Sequence, residues 1–111
     1  DSSGPAAMLL GALLRNHPER AAEGFALVDN QTQRSRAVFH AAHHSAFLQV
    51  EDLFPASGRG NRLADWQERY QDFLEVVDTG GFDASEKETL HRFIQKEFAP
   101  VVEEGSSGGG N

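Results

Sequence analysis

The apolar residues of this chain recur mostly at steps of three and four, the spacing of helices that bury one face. The plainest case is residues 61–77. There Leu63, Trp66, Tyr70, Phe73, Leu74 and Val77 share a stripe, while Arg62, Asp65, Glu68, Arg69, Asp72 and Glu75 fall elsewhere. The stripe holds the only Trp and the only Tyr, and full burial of each large side chain stabilises by about 1.5–3 kcal/mol. This segment is expected to organise the rest.

Upstream, Pro5 suits the first turn of a helix, where its missing N–H costs nothing. Met8, Leu9, Leu10, Leu13 and Leu14 give that helix a broad apolar face. Asn16-His17-Pro18 ends it, because the residue before a proline is pushed out of the helical region. Pro18 opens a second segment with Ala21, Ala22, Phe25, Leu27 and Val28 as core candidates, weakened at Gly24 by about 1 kcal/mol.

Residues 25–41 admit two readings. Two short strands can form about a polar turn at Asn30, although no Gly follows it to make the tight hairpin turn. The other reading starts a long helix near Thr32 and runs it to about Phe54. Its stripe is Phe39, Ala42, Ala46, Val50 and Leu53, with Phe47 and Phe54 on the margin. The alanine content and the lack of alternation after Phe39 favour the helix.

Residues 55–60 read as a loop from their Gly and Pro, and Asn61 is placed to cap the next helix. Thr79-Gly80-Gly81 ends that helix, with glycine available for a left-handed C-terminal position. Ser85 and Glu88 form a capping box for a last helix, with Asp83 as the alternative cap. Leu90, Phe93, Ile94, Phe98 and Val101 are its buried stripe, and Pro100 is expected to bend or end it. The short link makes these last two helices antiparallel neighbours.

The expected fold is therefore all-α, a single-domain bundle of four or five helices over residues 5–104. The alternative is α+β, with a short hairpin near residues 25–40. Residues 1–4 are expected to be disordered, and residues 105–111, GSSGGGN, have the composition of a flexible tail or linker.

Charge narrows the class of partner. The formal net charge is -7, and most of it lies in residues 61–111, where five basic residues face eleven acids. Such a balance argues against nonspecific binding to a nucleic-acid backbone, which needs clustered Lys and Arg. The absence of cysteine excludes disulfides, thiolate metal sites and a Cys nucleophile, and suits a cytoplasmic setting. No apolar run reaches the roughly 18 residues of a membrane span. Eight arginines against two lysines fit a GC-rich coding sequence, such as a bacterial or phage one.

Candidate chemistry is sparse. His40 and His44 lie one helical turn apart and Glu51 lies on the same face, a set that can hold Zn²⁺ or Fe²⁺ with positions left open. The set departs from H-E-x-x-H, since Ala41 and Ala42 follow His40 where that motif places its glutamate. With His43 the cluster also suits a pH-sensitive interface, imidazole being the side chain whose charge changes near neutral pH. Arg59 and Arg62 flank a helix start and are the candidate anion-binding pair. Arg34 and Arg36 offer themselves to a phosphate or an acidic partner. No nucleophile elbow surrounds Ser45, and no catalytic residue is assigned.

Three functions follow as expectations. The first is a non-enzymatic protein–protein interaction module, or a small helical subunit of a larger assembly, bound to another protein or to itself. The second is a metal-binding protein using His40, His44 and Glu51. The third is an acidic inhibitor or nucleic-acid mimic that binds a basic partner.

Overall fold

The computed structural model describes residues 3–54 and 62–103. Five α-helices and one 3₁₀ turn follow in order: α1 (Ser3–Asn16), the turn Pro18–Arg20, α2 (Ala21–Leu27), α3 (Gln31–Leu53), α4 (Leu63–Thr79) and α5 (Ala84–Glu97). Among the described residues there is no strand, so the all-α bundle is the fold and the hairpin near 25–40 is not formed. Asn30 decides that region. Its Oδ1 accepts a hydrogen bond from Gln33 N–H at 3.0 Å, capping the first turn of α3 instead of turning a hairpin.

The centre of the bundle is shared between two helices. α4 buries Trp66, Phe73, Val76 and Val77 as its stripe requires, but α3 packs against all three other long helices, α1, α4 and α5. The cross-links fix directions. Asp52 reaches Trp66 while Arg34 reaches Gly80, so α3 and α4 run antiparallel. Ser35 meets Glu86 and His43 meets Glu97, so α3 and α5 run parallel. Asp78 faces His91, and Trp66, Tyr70 and Phe73 surround Phe98 at ring separations of 5.8–6.2 Å, so α4 and α5 are antiparallel as expected.

Arg34 fastens the helix ends together. Its guanidinium donates to the carbonyl oxygens of Phe25 and Val28 at the end of α2, and to that of Gly80 at the end of α4. Cations are favoured at helix C-termini, where the last carbonyls have no intrahelical donor. The same group lies 5.4 Å from the Phe25 ring centroid. Arg34 is thus committed within the bundle and is not offered to a phosphate or partner.

Several boundaries differ from the sequence reading. α4 is preceded by Arg62, with no side-chain cap bond, and Asn61 lies outside the described residues. Asp83, not Ser85, caps α5, accepting from Glu86 N–H at 2.8 Å. α5 ends at Glu97, and residues 99–103 continue as a further helical segment. Pro100 sits in the first turn of that segment, where its missing N–H is harmless. Gly24 serves close packing: a Cβ there would come within 2.6 Å of methyl carbons of Leu10 and Leu13, so its helix-propensity cost accompanies the approach of α2 to α1.

Candidate interaction surface

α3 rises about 34 Å over its 23 residues at 1.5 Å each. Its inner face is built from small and polar residues: Ser35, Ala37, Val38, Ala41, Ala42, Ser45, Ala46 and Gln49 are all buried. Small side chains let α1 and α5 approach closely, and that choice turns the larger residues outward. Phe47 is 67% exposed, Phe54 56%, Val50 44% and Leu48 42%. At 100° per residue, His40, His43, His44, Phe47, Val50 and Glu51 fall within an arc of about 120°, and Phe54 follows as the C-cap of the helix. Isolated exposed apolar residues are ordinary, but an aromatic and aliphatic stripe on two successive turns is a patch.

Of the stripe expected to be buried, Ala42 and Ala46 are, Phe39 and Leu53 are half-buried, and Val50 faces outward. Phe39 is held edge-on against Phe93 at 4.5 Å. Phe82 and Phe98 lie in the core, the former edge-on to Phe25 at 6.1 Å. The exposed phenylalanines among the described residues are therefore Phe47 and Phe54.

The histidines behave differently from one another. His43 Nδ1 lies 3.0 Å from Glu97 Oε1 and is tied to α5. His40 and His44 line a groove of about 500 Å³ between α1 and α3, together with Met8, Gly11, Arg15 and Ala41. They share the outer arc with Glu51 as the spacing implied. Seven residues, however, put Glu51 about 10 Å along the axis from His44, beyond the reach of an ion held near 2 Å from two imidazoles. Among the described residues, no group of three or more His, Cys, Asp and Glu side chains is gathered so as to hold a metal ion.

Of the candidate anion pair, Arg59 lies outside the described residues. Arg62 donates to Asp65 Oδ2 at 3.1 Å and lies 3.8 Å from Asp52 Oδ2. It is engaged by carboxylates. Asp52 also accepts the buried indole N–H of Trp66 at 2.7 Å, a bond that ties the end of α3 to the start of α4. Sequence spacing alone did not signal this pair, because the two residues meet only across helices.

Two further surface features stand away from the α3 face. Leu27, 88% exposed, joins Leu9, Leu10, Leu13 and Val28 around an apolar groove of about 270 Å³ between α1 and α2. Glu19, Asp72 and Glu75 surround a depression of about 200 Å³ between the 3₁₀ turn and α4. Other acids of the C-terminal half are drawn to separate partners: Glu86 to Ser35, Glu88 to Arg92, and Asp78 toward Lys87 and His91. No described helix is long and apolar enough to cross a membrane.

No family model, no curated protein and no solved structure matches this chain.

Proposed function

We propose that this chain is a non-enzymatic interaction module whose working surface is the outer face of α3. The observation that carries the reading is the exposure of Phe47 and Val50 on the last two turns of α3, and of Phe54 directly after it, while the opposite face of the helix is fully occupied. Full burial of a large apolar side chain is worth roughly 1.5–3 kcal/mol, and a complex would recover the part of it that Phe47 and Phe54, both more than half exposed, forgo. Aromatic side chains surrounded by polar neighbours are the usual anchors of protein interfaces. Arg36, His40, His43, His44 and Glu51 form such a polar surround.

Native mass spectrometry of the protein purified from its own source tests this. A complex is expected, and it is expected to be lost from the Phe47→Asp, Val50→Asp double variant while the melting temperature is retained. A bare monomer, or a complex indifferent to the substitutions, would overturn the reading.

A further inference from the structure

We propose that the partner of this face is a second copy of the chain. The two α3 helices would pair antiparallel about a twofold axis at Phe47, with Phe54 of each seated in the α1–α3 groove of the other. This rests on the interaction surface described above and names its occupant.

The spacing points to a helix as the partner. His40, His43, Phe47, Val50 and Phe54 succeed one another at steps of 3, 4, 3 and 4, the seam by which one helix packs along another. All five are on the surface or, for His43, exposed beside Glu97.

Self-complementarity points to a second copy. A twofold axis through Phe47 brings each residue opposite the one equally far on its other side. Phe54 and His40 are each seven residues, or about 10 Å, from Phe47. The exposed Phe54 ring of one copy therefore comes level with His40 of the other, one of the residues that line its groove. That groove is open to the surface and has a volume of about 500 Å³ over Gly11 and Ala41, whereas a benzene ring is held in a cavity of about 150 Å³. A surface groove and an exposed aromatic ring thus stand at matching distances from one residue.

The charges agree. The N-terminal half of the outer arc carries Arg36, His40, His43 and His44, with Arg15 at the groove, and its C-terminal half carries Glu51. Antiparallel pairing sets Glu51 level with His43 and beside His44 of the other copy. A parallel pair would set like against like.

Sedimentation of the full chain over a concentration series tests the proposal. The wild type is expected to form dimers. Phe47→Asp is expected to abolish them, and Glu51→Lys and His44→Glu each to weaken them severalfold. The two charge changes together are expected to restore dimerisation, because the swap re-forms the pair. Since the chain has no cysteine, Phe47→Cys supplies a single thiol at the axis and is expected to give disulfide-linked dimers under mild oxidation. Ala64→Cys, on the exposed side of α4, is expected not to. A wild type monomeric at every concentration, a dimer that survives Phe47→Asp, or a charge swap without recovery would each overturn the pairing. If the isolated chain is monomeric while the source protein still shows a Phe47-dependent complex with another polypeptide, the pairing falls and the interaction surface stands. If neither is seen, both fall.

Discussion

Arg34 Nη1 donates to the carbonyl oxygen of Gly80 at 2.8 Å across 46 positions of sequence, while the same guanidinium caps the end of α2. One side chain therefore supplies donors to the last carbonyls of two helices. Truncation would leave those acceptors without their cation. Arg34→Ala is expected to lower stability by about 2–3 kcal/mol, since hydrogen bonds to a charged group and half-buried carbonyls are lost together. Arg34→Lys keeps the charge but not the fork, and is expected to recover less than half of that. Urea unfolding measures both. A loss under about 0.5 kcal/mol for Arg34→Ala would contradict the role, since that is the range of ordinary surface changes.

The two glycines after α4 are required for different reasons. Gly81 has φ +72°, where a side chain is strained. Gly80 has an ordinary φ of -73°, but a Cβ there would lie 2.3 Å from the ring of the buried Phe82. That ring rests edge-on against Phe25 and is a rigid plate. Gly81→Ala is expected to cost about 1–2 kcal/mol and Gly80→Ala about 1–3 kcal/mol. The distinguishing measurement is Gly80→Ala combined with Phe82→Leu: the smaller side chain is expected to relieve the cost of the first change and not that of Gly81→Ala.

Two buried polar side chains predict effects of opposite sign. Ser45 Oγ is buried with no hydrogen-bond partner among the described residues, so Ser45→Ala is expected to stabilise the fold by about 1 kcal/mol. The indole N–H of Trp66 has its acceptor in Asp52. Asp52→Ala leaves that donor unpaired and is expected to cost about 1–3 kcal/mol. Asp52→Asn keeps an acceptor oxygen and should cost less. Thermal melting ranks the three, and Trp66 fluorescence shifted to the red in Asp52→Ala alone would report the loosened junction.

Asp72 predicts a pH dependence. Burial first, and then the like charges of Glu68, Glu75 and Glu19, raise its carboxyl above the ordinary value of 3.8. The folded state thus holds this proton more tightly than the unfolded chain, so ionising Asp72 works against folding as pH rises above 3.8. Asp72→Asn is expected to raise the melting temperature at pH 7. The gain should shrink as the pH falls through the carboxylate range and vanish below 3.8. A gain that persists in acid would point to a cause other than charge.

The helices were legible because their signals are local. Pro18 starting a turn, Gly81 in the left-handed position, and the three-and-four spacing from Leu63 to Val77 and from Leu90 to Phe98 each act within a few residues, whatever lies across the bundle. The ambiguity over residues 25–41 had the same source. Asn30 suits both a hairpin turn and a helix cap, and only the Gln33 N–H it accepts from tells them apart.

Which face of α3 goes inside could not be read that way. Its apolar residues surround the helix, and hydrophobicity alone favours burying Val50 and leaving Phe47 and Phe54 at the margin. Tertiary packing chose the alanine and serine face, since only small side chains admit α1 and α5 at close range. The same choice put His40 and His44 on the groove and Phe47 and Phe54 in water. Arg34 and Asp52 likewise took their roles from neighbours 46 and 14 positions away. The sequence by itself determined where helices begin, end and repeat, because those are short-range hydrogen-bonding and steric matters. The tertiary structure decided which residues meet and which are left exposed, because burial is settled by the shape of what lies opposite.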